Sequence, residues 1–168
     1  MKLNLFSTVS AFVLLLSALT SCEKKGVALY EGTYSYKTSG SVEVEKTLIE
    51  SSEKSVENLN LISESGQMNI LKSGDKDMII TMNAIGGDVL VIEATTSGEE
   101  LQIKEFKRNV KIEDGSRTVS LNCTVSGSGK KYEDIIILDL NYGGSGSSAL
   151  YDYKIKSSSV KCVAKVNE

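Results

Sequence analysis

Cysteine is the residue in this sequence best suited to covalent chemistry, and it occurs three times, at Cys22, Cys123 and Cys162. A cysteine reacts through its thiolate, which a neighbouring base such as histidine normally generates. The chain has no histidine, so it lacks that base, a Ser-His-Asp triad and any imidazole ligand for a metal ion. We therefore expect a protein that is not an enzyme and has no catalytic residues, no metal site and no cofactor.

The charge balance argues against nucleic acid as a partner. The 168 residues include 19 Lys and Arg and 22 Asp and Glu, which gives a formal net charge of −3. Contacts to phosphate dominate the affinity of proteins for nucleic acids, and the chain has no long basic run to make them. We expect a partner other than DNA or RNA.

The first 21 residues have the parts of a secretory signal. Lys2 supplies a short basic start, and residues 11–16 form an apolar stretch that is followed by small residues. Leu19-Thr20-Ser21-Cys22 resembles the lipobox of bacterial lipoproteins, in which the cysteine receives lipid and the chain is cleaved before it. The resemblance implies that residues 1–21 are a signal peptide and that Cys22 is the lipidated first residue of the mature protein. The alternative is an ordinary signal peptide with a chance cysteine.

A lipidated cysteine also implies a location and a domain organisation. Two or more acyl chains on one residue attach a protein stably to a membrane. The resemblance therefore implies the bacterial cell envelope, at the periplasmic face or the outer-membrane surface. Residues 22–29 are then an acylated tether, and residues 30–168 are long enough for one domain with its own core.

The mature part of the chain shows the alternation of β-strands. Residues 77–84 place Met78, Ile80 and Met82 on one face, and similar segments recur about every ten residues. Glycine-containing turns separate them, among them Asp114-Gly115 and Gly127-Ser128-Gly129. Short turns at this spacing predict an all-β protein of about eight to ten strands, an antiparallel up-and-down barrel or a sandwich. Residues 42–59 are ambiguous between one short helix and a long hairpin.

The segment Tyr132–Tyr142 predicts the most deeply placed strand. Ile136, Leu138, Leu140 and Tyr142 share one face, and the opposite face begins with isoleucine and becomes polar at Asp139. A strand that is apolar on both faces over part of its length is usually covered on both sides. We expect Asp139 to lie where the second face meets solvent or the mouth of a cavity.

The two cysteines of the mature domain have two interpretations. Cys123 and Cys162 both lie on the apolar face of their predicted strands. Two cysteines behind a secretory signal favour a disulfide bond. The alternative is a pair of buried free thiols that pack as small apolar side chains.

A short polar segment resembles a known inhibitor signature. The segment consists of Ser126, Gly127, Ser128, Gly129, Lys130, Lys131 and Tyr132. It is similar to the Ser-Gly-Ser-Gly-x-Lys-Tyr signature of the membrane-bound inhibitors of c-type lysozyme, which are lipid-anchored β-barrel proteins. The resemblance implies a partner-binding loop whose glycines allow close approach, whose hydroxyls face carboxylates and whose Lys131 adds charge. Lysozyme is the partner that it implies.

The broader resemblance is to calycin-like lipoproteins, through the strand count and the opening Gly32-Thr33-Tyr34. It implies a small apolar ligand held inside a barrel, in a pocket of roughly 300–1,000 Å³. Met78, Ile80, Met82 and Tyr142 are the residues expected to line that pocket. We therefore expect a lipid-anchored, non-enzymatic binding module for a small apolar ligand or a protein partner, with lysozyme inhibition as the alternative.

Overall fold

Nine antiparallel strands and one short helix account for most of the chain. The structure is a computed structural model that describes residues 25–167. The elements are α1 (Val27–Tyr30), β1 (Gly32–Leu48), β2 (Lys54–Asn60), β3 (Glu64–Lys72), β4 (Asp77–Ala84), β5 (Val89–Ser97), β6 (Glu100–Asp114), β7 (Arg117–Tyr132), β8 (Ile135–Ser147) and β9 (Tyr151–Val166). The all-β fold class and the predicted number of strands are confirmed. Within the described range, no helix has the length and apolar character needed to cross a membrane.

The sheet closes on itself through β1, so the architecture is a barrel rather than a sandwich. Strand β1 pairs with β9 along one edge, over Tyr34–Leu48. Its other edge is shared, because the first half of β1 pairs with β3 and the second half pairs with β2. The remaining strands follow one another from β3 to β9 in sequence order. Because the ring closes within the described residues, these residues contain a complete barrel.

The ambiguous residues 42–59 form the long hairpin. Val42–Leu48 belongs to β1, and the chain turns around Ser52 into β2, so the predicted helix is absent from this segment. The helix lies instead at Val27–Tyr30, just before the barrel. Strand β1 can pair so closely with β9 because residue 40 is glycine with φ near 151°, and a Cβ there would lie closer than 3 Å to the Ser159 carbonyl oxygen.

The interior of the barrel is filled by the alternating apolar residues that the sequence indicates. Met78, Ile80 and Met82 are buried together with Ile136, Leu138, Leu140 and Tyr142, as their shared faces predict. The expectation that Asp139 lies at the boundary of a covered face, beside solvent or a cavity mouth, is wrong. Its side chain is 66% exposed on the outer face of β8, where it lies 3.5 Å from Lys161 Nζ.

The two ends of the barrel are closed by different means. At the α1 end, where α1 packs on the barrel, the Tyr34 hydroxyl donates a hydrogen bond to the Tyr30 carbonyl oxygen at 2.7 Å. At the far end, Lys46 Nζ lies 3.0 Å from Asp114 Oδ1, and the Tyr153 hydroxyl donates to Asp114 Oδ2 at 2.7 Å. Tyr34 and Tyr153, which make these contacts, are buried at the two ends of the barrel.

Candidate functional site

The wall of the barrel opens between β5 and β6. These two strands pair only over Ala94–Ser97 and Glu100–Ile103, next to their connecting turn. Beyond that point β6 has a bulge between Ile103 and Phe106, and the two strands separate. The separation leaves a cleft of about 370 Å³, which we call the side cleft. Its lining is shared by the β4–β5 hairpin, β6 and the segment that joins β2 to β3, and includes Tyr36, Ile62, Glu64, Met82, Leu90, Arg108 and Lys111.

Arg108 is the central charged group of the side cleft. It lies between Phe106 and Val110 on the inward-facing register of β6, and its side chain is only 17% exposed. Its Nη2 atom donates a hydrogen bond to Glu64 Oε1 at 2.5 Å. Burial disfavours the charged form of Arg108, but the hydrogen bond and the charge of Glu64 outweigh it and raise the pKa of the guanidinium. Arg108 is therefore a permanent cation inside the wall of the barrel.

Two tyrosines add hydroxyl groups to this cluster. Burial raises the pKa of Tyr142 to about 12, although the charge of Arg108 acts in the opposite direction. Burial also raises the pKa of Tyr36, and the nearby Glu64 raises it further. Both phenols therefore stay protonated at neutral pH and are available as hydrogen-bond donors.

The interior of the barrel behind the side cleft has no room for a ligand. A space lined by Ile80, Met82, Tyr142 and their neighbours measures about 10 Å³, which is room for about one water molecule. The predicted ligand pocket among Met78, Ile80, Met82 and Tyr142 is therefore wrong, because these side chains pack against one another as core. Thr38 Oγ1 lines the same space and is buried without a hydrogen-bond partner among the described residues.

Cys123 and Cys162 are buried free thiols and are not joined by a disulfide bond. This is the second of the two interpretations offered by the sequence. Strand β8 separates them, with Cys123 opposite Gly144 and Cys162 opposite Leu138. Those two positions are six residues apart, or about 20 Å along a strand, which is well beyond the reach of a disulfide. Burial raises the pKa of both thiols to about 11, so neither is a reactive thiolate at neutral pH.

The expectation that Ser126–Tyr132 is a loop is wrong, because these residues form the last part of strand β7. Their binding of a partner stays a prediction. They pair with β8 throughout and with β6 over Gly127–Lys130. The glycines serve this pairing. A Cβ at Gly127 would lie within 3 Å of the Asp139 carbonyl oxygen, and one at Gly129 would meet Leu138 equally closely.

Strand alternation also divides the side chains of this segment between the two faces of the barrel. Lys131 points inward, where its Nζ donates to the Leu29 carbonyl oxygen at 3.0 Å and to the Tyr34 hydroxyl at 3.1 Å. Ser126, Ser128 and Tyr132 lie on the opposite register, and Tyr132 is 57% exposed. Lys131 therefore holds α1 against the barrel, and only the outward residues remain accessible to a partner. Lysozyme inhibition stays a prediction.

Sequence reasoning missed the Arg108–Glu64 pair. The signal was present, because Arg108 is a charged residue on an otherwise apolar register from Phe106 to Ile112. Cys22, the predicted lipidation site, lies outside the described residues. The chain matches no protein-family model and no curated protein, so the residues of the side cleft are the basis for assigning a function.

Proposed function

We propose that this protein is a lipid-anchored, non-enzymatic binding module of the bacterial cell envelope that takes its ligand in the side cleft. The observation that carries the proposal is an open cleft of about 370 Å³ in the wall of a barrel whose core is filled. That volume lies within the usual range for small-ligand sites. A charged side chain held in such a cleft is costly unless it has partners, and Arg108 is such a side chain.

The chemistry of the side cleft favours a ligand with polar and apolar parts. Among the described residues, Arg108 makes one side-chain hydrogen bond, to Glu64, although a guanidinium carries five N–H donors. Met82, Leu90 and Ile62 supply apolar surface beside it. A ligand that fits has a carbonyl or acidic oxygen for Arg108 next to an apolar group. This replaces the purely apolar ligand of the sequence-based expectation.

A fluorescent amphipathic anion tests the site directly. We expect the chain from Glu23 onward, which holds every strand of the barrel, to bind 8-anilinonaphthalene-1-sulfonate in the side cleft. Arg108→Met should weaken that binding by about tenfold or more, since a charge-assisted hydrogen bond contributes about 1.5–3 kcal/mol. Arg117→Met is the matched control, because Arg117 is exposed at the start of β7. Equal binding by the Arg108 and Arg117 variants would contradict the proposal.

The membrane attachment has a separate test. If Cys22 is lipidated, the full chain partitions into the detergent phase of a cloud-point separation and carries acyl mass on its first residue. A Cys22→Ser chain should remain in the aqueous phase, because one or more acyl chains provide the membrane affinity. Equal partitioning of the two chains would remove the lipid anchor from the proposal and leave the side cleft unaffected.

A further inference from the structure

We propose that the natural occupant of the side cleft is an extended peptide segment of a partner protein, which adds as a strand to the free edge of β5. This inference rests on the proposed function, and it names the class of ligand. It follows from three features of the cleft: an unpaired backbone edge, an edge sequence that is apolar in four of its five residues, and a donor–acceptor pair beside it.

The first feature is the backbone of β5. Residues Val89–Glu93 pair with β4 on one side, over Asn83–Ile79. On the other side the ladder to β6 ends at Ala94, so this stretch has no strand partner there among the described residues. An edge of five residues is about 17 Å long, and every second residue directs its N–H and C=O groups toward the open side. An extended peptide can pair with such an edge, whereas a lipid or a compact metabolite leaves most of its groups unused.

The second feature is the sequence of that edge. Natural edge strands are protected from pairing by charged residues, proline or bulges. Residues 89–92 are Val-Leu-Val-Ile, and Val89 and Val91 are 62% and 60% exposed on the outer face. The charged residue of this edge is Glu93, at its end, where the carboxylate accepts a hydrogen bond from Lys104 of β6 at 3.0 Å. By contrast, β6, which faces β5 across the opening, has a bulge and carries Lys104, Glu105 and Lys107 where it leaves β5. The apolar edge of β5 over residues 89–92 is therefore suited to receive a strand whose alternate side chains cover Val89 and Val91.

The third feature is the Arg108–Glu64 pair. Together these side chains offer a donor and an acceptor in one place, which matches the C=O and N–H groups of a peptide unit. Two basic residues, Arg108 and Lys111, and two acidic residues, Glu64 and Asp88, line the side cleft, so the net charge of its lining is zero. A balanced lining favours an uncharged peptide backbone over an anionic lipid headgroup.

Selection from a displayed library of random heptapeptides, with the chain from Glu23 onward as bait, provides the probe. We expect the selected peptides to alternate apolar and polar residues. We also expect them to slow amide hydrogen exchange within residues 89–93. N-methylation of a selected peptide at one set of alternate positions should abolish binding, and N-methylation at the other set should not, because only one set of N–H groups faces β5.

Two protein variants distinguish pairing at the edge of β5 from nonspecific binding of the peptide. Val91→Lys places a charge on the edge strand and should weaken peptide binding by about tenfold or more. Val163→Lys is the matched control, because Val163 is 43% exposed on β9 and pairs with Lys37 of β1 on one side and Ile137 of β8 on the other. We expect the control to bind peptide like the unmodified protein.

The outcomes distinguish this inference from the proposed function. Peptides that bind equally well after either N-methylation, or that protect residues outside β5, overturn strand addition. So does a failed selection, or self-association of the protein through β5. If Arg108→Met still weakens binding of the dye in those cases, the side cleft remains a binding site for another ligand. If Arg108→Met also leaves dye binding unchanged, both proposals are contradicted.

Discussion

Arg108 and Glu64 are 44 residues apart in the chain, and their side chains meet at 2.5 Å across the side cleft. Glu64 begins β3 and Arg108 lies in the middle of β6, two strands that share no backbone ladder. The ion pair therefore joins the walls of the barrel at the place where the sheet itself is interrupted. It contributes to the stability of the fold and to the chemistry of the opening at the same time.

Removing one partner of this pair should destabilise the protein. Glu64→Ala leaves the Arg108 guanidinium largely buried without its acceptor, and we expect the free energy of unfolding in urea to fall by about 1–3 kcal/mol. The double variant Glu64→Leu, Arg108→Met should recover most of the loss, because apolar side chains of similar volume replace both charges. Asp75→Asn, at a fully exposed carboxylate, is the control. A single variant as stable as the control would contradict the structural role of the pair.

The far end of the barrel should make stability depend on acidic pH. Burial disfavours the charged form of Asp114, but hydrogen bonds from Tyr153 and Lys46 outweigh this effect and lower the pKa of Asp114. A carboxylate whose pKa is lower in the folded state stabilises the fold above its unfolded pKa, and this stability is lost as the pH falls through the folded pKa.

We therefore expect the free energy of unfolding to decrease below about pH 4, and to decrease less in Asp114→Asn, as followed by urea titrations at several pH values. Asp75→Asn should retain the pH dependence of the unmodified protein. Parallel curves for Asp114→Asn and the unmodified protein would show that Asp114 is not the responsible group.

Lys131 should be required for the position of α1. Lys131→Met keeps the aliphatic stem but removes the hydrogen bonds to the Leu29 carbonyl oxygen and the Tyr34 hydroxyl. We expect a loss of about 1–2 kcal/mol in stability and faster amide exchange in Val27–Tyr30. The adjacent Lys130 is exposed, so Lys130→Met should leave both measurements unchanged. Unchanged exchange in Lys131→Met would mean that α1 is held by other contacts.

Gly127 tests whether residues 126–132 form a strand or a loop. In the strand, Gly127→Ala forces a Cβ against the backbone of Asp139, and we expect a cost of about 1–3 kcal/mol in urea unfolding. Gly143→Ala is the control, because a Cβ at Gly143 meets nothing within 4 Å. A loop would tolerate both substitutions equally.

The resemblance to lysozyme inhibitors predicts a result of its own. If the segment acts on lysozyme, the chain from Glu23 onward slows a c-type lysozyme at micromolar concentration, and Ser128→Ala with Tyr132→Ala restores the rate. These outward residues are chosen because Lys131 is engaged with α1. Turbidity assays on cell walls measure the effect, and full lysozyme activity at that concentration would end the hypothesis.

Local patterns in the sequence were enough to predict the fold class, the approximate number of strands and much of the core. Alternation places Met78, Ile80 and Met82 on one buried face, and the same reasoning succeeds for Ile136 to Tyr142. The error at Ser126–Tyr132 has a physical cause. Glycine and serine are typical of turns, but two glycines spaced by two also occur where neighbouring strands approach closely, and only the pairing partners distinguish the two cases.

The side cleft depends on relations that local patterns do not contain. The opening exists because β5 pairs with β6 over four residues and then leaves it, and no residue type marks that point. Glu64 and Arg108 meet because β3, β4, β5 and β6 follow one another around the barrel. The distance between Cys123 and Cys162 is likewise set by the register of β8, which is why the disulfide could not be decided from their spacing.

The unequal lengths of the strands give the opening a direction. Strands β4 and β5 have eight and nine residues, whereas β6, β7 and β9 have fifteen or sixteen. The wall is closed at the α1 end, where the Tyr30 hydroxyl donates to the carbonyl oxygen of Glu99 in the β5–β6 turn, and it opens toward the other end of the barrel. Gly87 and Asp88, in the β4–β5 turn, lie at the rim of the opening. A long occupant of the side cleft therefore extends past the β4–β5 turn and away from α1.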